Sequence, residues 1–118
     1  KHSVIMLNLR QHFRYGMNND ELYETTRGVW RAARHDNRYA LGVYKGVVQG
    51  VFEIDNWQPA GTAEYTLRSR DEVEFPNRWE FSGRKASSDI WNYYVGKSVK
   101  DYIKNPQWSH LYPEIDSE

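Results

Sequence analysis

Cysteine is absent from the 118 residues. That removes disulfides and thiolate metal sites at once, and it suits a reducing, cytoplasmic compartment. Histidine is sparse: His2, His12, His35 and His110 stand at no metal-ligand spacing, and without thiolates a zinc site lacks donors. Net charge is missing too. Sixteen basic side chains against sixteen acidic ones sum to +0, so no global field draws the chain to polyanions or anionic membranes. Any nucleic-acid contact needs a local basic face or a partner domain. No apolar run approaches the roughly 20 residues that span a bilayer, and no signal-peptide pattern precedes the first apolar stretch. Glycine-rich phosphate loops and a GxSxG elbow are absent. A metal-dependent nuclease site wants an Asp and then an acid-x-Lys on a strand. Glu72-x-Glu74 and Glu80-x-Ser82 lack that lysine, and Asp71, Glu72 and Glu74 read as solvated charge. No catalytic residue, metal or cofactor is expected here. The chain opens at Lys1 without an initiator Met, which fits a piece of a longer protein whose neighbour holds an activity.

What is present is aromatic. Trp, Tyr and Phe make up 15% of a chain that is only 39% hydrophobic, a mix that points to a single folded domain with ring-rich packing. The pattern predicts an α+β domain: a small, strongly bent β-sheet or pseudo-barrel with two short flanking helices. Residues 1–106 form the domain and 107–118 a loop-like, partly disordered tail.

Ser3–Leu9 reads as a buried strand. Asn18 caps a helix through Arg27, with Glu21 in the capping-box position. Gly28 sits where a left-handed residue ends such a helix, and Val29–Ala33 leaves it as a short strand. Tyr39–Tyr44, a Lys45-Gly46 turn and Val47–Ile54 make a β-hairpin at the centre of the sheet. Asp55–Gly61 is a loop by its Asn, Pro and Gly. Glu64–Glu74 reads as a weakly alternating strand, and Arg78–Ala86 as another, with Trp79 and Phe81 on one face. Ser87 or Ser88 starts a second helix through Tyr94, ended by Gly96. Lys97–Ile103 continues as strand or helix.

Helix end Tyr23, Thr25, Thr26, Arg27 and Trp30 crowds large recognition-type side chains beside one another. Flat rings stack on nucleobases, while arginine stacks or chelates phosphate. A cage for one flipped-out base needs two aromatic walls and a few polar groups on the base edge. Wall candidates are Tyr23, Trp30, Trp57, Trp79 and Trp91. Trp79 and Trp91 also read as core, and Trp57, in a loop before Pro59, is expected to be exposed.

Several blocks, in order, carry a resemblance: LYETTRGVW (Leu22–Trp30), YALGVYKGVVQGVFEIDNW (Tyr39–Trp57), RWEFSG (Arg78–Gly83) and YVGKSV (Tyr94–Val99) before Asn105-Pro106. The series resembles small bacterial domains of the PUA-like group, which includes the ASCH, EVE and YTH domains, found alone or beside nuclease-like domains. The first strand, SVIMLNL, departs from the Trp-Lys-Ser-Glu opening of EVE domains. The resemblance implies a bent barrel that binds RNA or DNA, several members taking a modified base into an aromatic pocket. Carried onto this chain, it implies a base site of Thr26, Arg27, Trp30, Asp55 and Trp57, with Lys97 and Ser98 on the backbone. Read from the residues themselves, Tyr23 joins the base site and Arg31 the backbone contacts. The expected partner is nucleic acid, DNA ahead of RNA, in a restriction or phage-defence setting with a fused or associated nuclease domain. The competing readings are a protein-interaction or structural domain without a nucleic-acid ligand, and a small hydrolase whose site the motifs do not reveal.

Overall fold

Residues 2–31 and 35–115 are described by a computed structural model. The strands are β1 (His2–Asn8), β2 (Gly28–Trp30), β3 (Tyr39–Tyr44), β4 (Val47–Pro59), β5 (Trp79–Lys85), β6 (His110–Leu111) and β7 (Glu114–Ile115). The helices are α1 (Asn19–Arg27), α2 (Arg70–Val73) and α3 (Ser88–Tyr94), with a 3-10 turn over Lys100–Tyr102. The strands join in the order β2-β5-β4-β3-β1-β6, with β7 also on β1. The result is a nearly closed, barrel-like mixed sheet in a small α+β domain.

β1 is the parallel member. It pairs with β3 from Val4 opposite Tyr39 to Asn8 opposite Val43. A strand covered on both faces is apolar throughout, and SVIMLNL is such a run. Val4 and Met6 pack with Leu41, Val48, Tyr94 and Trp108 on one face. Ile5, Leu7 and Leu9 pack with Leu22, Phe52 and Phe81 on the other. Each fully buried side chain of this size contributes about 1.5–3 kcal/mol, so β1 anchors both core layers.

The hairpin forms at the sheet centre as the sequence indicates. Lys45 and Gly46 both take positive φ, 51° and 79°, the combination a two-residue turn between twisted strands requires. α1 carries the expected capping box: Asn18 Oδ1 accepts from the Glu21 N–H at 2.8 Å, and the Glu21 carboxylate accepts from the Asn18 N–H at 3.1 Å.

Four local expectations are corrected. Gly28 is not left-handed; its φ of −164° and ψ of 161° are extended. Glycine is needed there because an added Cβ would overlap the Tyr65 hydroxyl. Asp55–Pro59 is not a loop, since β4 stays paired with β5 down to Pro59 opposite Trp79; of the expected loop only Ala60 and Gly61 form a turn. Glu64–Glu74 is an irregular segment ending in α2, not a strand. Finally, 107–115 is not a tail: Trp108 is buried, and β6 and β7 pair with β1. These contacts carry the domain beyond residue 106. Ala32 and Ala33, at the end of the strand expected after the helix, and residues 116–118 lie outside the described residues.

Two buried carboxylates hold the irregular segment in place. Glu80, on β5, is fully buried and accepts from Gln58 Nε2 (2.6 Å), the Gly61 N–H (2.9 Å), the Ala63 N–H (2.7 Å) and the Tyr65 hydroxyl (2.9 Å). Glu24, on α1, accepts from the Thr66 N–H (2.7 Å), the Thr66 hydroxyl (3.0 Å) and the Leu67 N–H (2.6 Å). Burial alone would raise the Glu24 carboxyl, but these donors outweigh it and hold the group below its ordinary 4.5. A depressed carboxylate contributes stability that is present above its unfolded value and lost as pH falls through the folded one. The urea midpoint of the native chain should therefore drop more steeply below about pH 4.5 than that of Glu24→Gln. The variant should be weaker at neutral pH and flatter in acid. Parallel curves would show that the Glu24 contacts carry no linked proton.

Candidate nucleic-acid interface

The sheet does not close between its edge strands β2 and β6, and a cavity of about 470 Å³ lies at that seam. Asn8, Leu9 and Ser109 line it from the β1–β6 side, and Gly28–Arg31 from the β2 side. The chain after β1 adds Arg10, Gln11 and His12, and the segment around α2 adds Arg68, Glu72, Phe75 and Arg78. The volume falls within the usual range for small-ligand sites.

Each wall has a local cause. Trp30 follows the Gly28 corner, where Tyr65 and Glu80 crowd the backbone. Its indole N–H donates to the Thr26 carbonyl at 2.8 Å, which fixes a half-buried ring at the cavity edge. Arg68 is fastened from behind, donating to the carbonyls of Glu24 (3.1 Å) and Gly28 (2.6 Å). Neutral carbonyls leave its charge in place. Burial lowers its proton affinity, while Tyr65, Glu24 and Glu72 oppose that shift. Arg78 lies over the Phe75 ring, 5.5 Å from the centroid, and Phe75 is 45% exposed. Arg10 and Arg31 are exposed and form no ion pair among the described residues. The one lining carboxylate, Glu72, accepts from the Ser69 N–H at 2.8 Å. Four arginines thus face one acid in a chain of zero net charge.

Among the residues expected at the site, Trp30 and Arg31 line this cavity. The others do not. Thr26 is fully buried and spends its hydroxyl on the Leu22 carbonyl at 2.7 Å. Tyr23 packs on Phe52 and Phe81, and its hydroxyl accepts from the Gly83 N–H at 2.9 Å. Arg27 donates to the Glu64 carbonyl and lies over Tyr65, 4.5 Å from the ring centre. Asp55 is exposed on β4, bound by Arg84 through both oxygens at 2.6 and 2.7 Å. Lys97 sits over Tyr93 at 3.9 Å, and Ser98 bridges to Val47 beside the hairpin turn.

Trp57 corrects the sequence reading most sharply. It is 8% exposed, on a paired strand, packed edge-on against Phe81 and stacked under His35 at 5.2 Å. Trp79 contacts the same His35 ring at 4.5 Å. Trp91 packs on Phe52, as its core reading expected.

Arg10, Arg68 and Arg78 are the lining arginines that sequence reasoning missed. They are isolated cations in three separate connections, and nothing local joins them. Among the described residues, no group of three or more His, Asp or Glu is placed to hold a metal ion. No described helix is long and apolar enough to cross a membrane. Comparison with protein-family models, curated proteins and solved structures gave no match.

Proposed function

We propose that the chain is a nucleic-acid-binding module of the PUA-like kind, in which the seam cavity receives one unstacked base. Convergence of Trp30 with four arginines in one open cavity is the observation that carries this reading. An indole face offers stacking to any base. Arginines around the rim supply phosphate contacts, which position the strand without reading its sequence. The cavity wall also offers polar groups, among them Asn8, Gln11 and His12, for the edge of a base, modified or plain. The reading favours DNA in a cytoplasmic restriction or defence setting. It assigns no bond-breaking step to this chain; cutting would belong to an associated nuclease.

Losing a stacking wall costs about 1–3 kcal/mol, or roughly five- to hundredfold in affinity. Trp30→Ala should weaken binding of the preferred single-stranded oligonucleotide by about that factor in a fluorescence-anisotropy titration. Arg31→Ala touches no core and should make the salt dependence of log K shallower by about 0.7 for one lost single-strand phosphate contact. Unchanged affinity in both variants, or no binding across plain and modified cytosine and adenine oligonucleotides, overturns the reading.

A further inference from the structure

Beyond the seam cavity, a second set of rings and cations continues around the hairpin turn. The chain leaving β1 reverses at Leu9, whose carbonyl accepts from the N–H groups of His12 and Phe13, both at 3.1 Å. Arg10 and His12 line the cavity, and the residues that follow run to the β3–β4 hairpin, where Phe13 meets Tyr44. There Phe13, Tyr15 and Tyr44 form a cluster, with ring centres 4.8–5.6 Å apart. Tyr15 is 70% exposed, far more than packing alone would leave. Lys45 stands 5.5 Å from the centre of the Tyr44 ring. On the far flank of the same turn a shallow groove of about 360 Å³ is lined by Lys45, Lys100, Lys104 and Trp108. Trp108 belongs to the groove and Ser109 to the seam cavity. Neighbouring residues of the chain thus line the two depressions. None of Lys45, Lys100 and Lys104 forms an ion pair among the described residues.

We infer that this surface is a track for the single strand flanking the base in the seam cavity. The Tyr15–Tyr44 platform stacks a neighbouring base, and Lys45, Lys100 and Lys104 hold the phosphates beyond it. The inference rests on the proposed base pocket and extends it, committing to a single strand several nucleotides long as the ligand. Exposed rings beside unpaired cations are the combination that binds single strands with little sequence preference. A duplex, with its bases stacked inside, offers the rings nothing.

The test compares two ligands on three proteins: a mononucleotide and a ten-nucleotide single strand, both carrying the preferred base, against native chain, Tyr15→Ala and Lys100→Ala/Lys104→Ala. All three substituted side chains are exposed, and melting curves check that the fold is kept. The native chain should bind the longer ligand far more tightly. Tyr15→Ala should weaken the longer ligand about tenfold and leave the mononucleotide unchanged. The double lysine variant should make the salt slope for the longer ligand shallower by about 1.4, at 0.7 per phosphate. Equal affinity of the native chain for both ligands overturns the track while leaving the pocket standing. So does a ten-nucleotide affinity and slope that neither variant moves. Equally tight capture of a polyglutamate peptide, which has charge but no rings, also overturns it. Failure of both ligands to bind the native chain removes the pocket reading and the track with it.

Discussion

Glu80→Ala should cost about 3–5 kcal/mol of folding stability, because it removes the buried common acceptor of four hydrogen bonds. The carboxylate is fully buried and serves four donors, two of them backbone N–H groups of the segment after β4. Alanine leaves those donors without their acceptor, and each buried polar group left unpaired costs about 1–3 kcal/mol before any water enters. Against a total stability of about 5–15 kcal/mol, one side chain then decides whether the chain is folded at 37 °C. Glu80→Gln keeps the volume and one acceptor oxygen, so its loss should be smaller. Urea unfolding followed by far-ultraviolet circular dichroism measures both. An alanine variant within 1 kcal/mol of the native chain would mean the segment is held by something other than Glu80. Because Glu80 also fixes Tyr65 against Gly28, the defect should reach the corner that delivers Trp30.

Trp57→Ala should be comparably severe, at about 3–5 kcal/mol, the usual cost of truncating a core tryptophan. The ring is 8% exposed between Phe81 and His35. Its Nε1 is buried and finds no acceptor among the described residues. Phenylalanine therefore removes no hydrogen bond to a described residue while keeping an aromatic ring. Trp57→Phe should cost far less than Trp57→Ala, and a full-sized loss in both variants would point to an unrecognised role for the indole N–H. A Trp57→Ala chain that melts like the native one would return this residue to the list of exposed walls.

The contrast between Trp30 and Trp57 shows where sequence reasoning stops. The hairpin, α1 and α3 were legible because their signals are local: a glycine in the second turn position, an Asn18–Glu21 box, a serine before an aromatic run. Asn56, Pro59 and Gly61 carry loop chemistry, yet β5 pairs with β4 as far as Pro59 and turns Trp57 inward. Pairing with a distant strand overrode composition. The same holds for β6 and β7, two residues each, which exist only because β1 offers them an edge. Within the candidate site, Trp30 was legible from the helix-end cluster, and Arg31 was expected beside it as a backbone contact. Arg68 was not, since it reaches the cavity only because Glu24 and Glu80 fold residues 61–67 against α1 and β5. A buried glutamate has no mark in the sequence that separates it from an exposed one.

Under the proposed function the ligand enters the seam between β2 and β6. A two-dimensional nitrogen–proton spectrum tests it most directly, because the five tryptophans each give a separate indole signal alongside the backbone amides. Titration with a ten-nucleotide single strand should shift the Trp30 indole and the amides of Arg10, His12, Arg31 and Arg68. The Trp57 and Trp91 indoles and the Asp55 amide should stay in place. Shifts confined to Asp55, Arg84 and the Trp57 indole, or an unmoved Trp30 signal at saturating oligonucleotide, would contradict it.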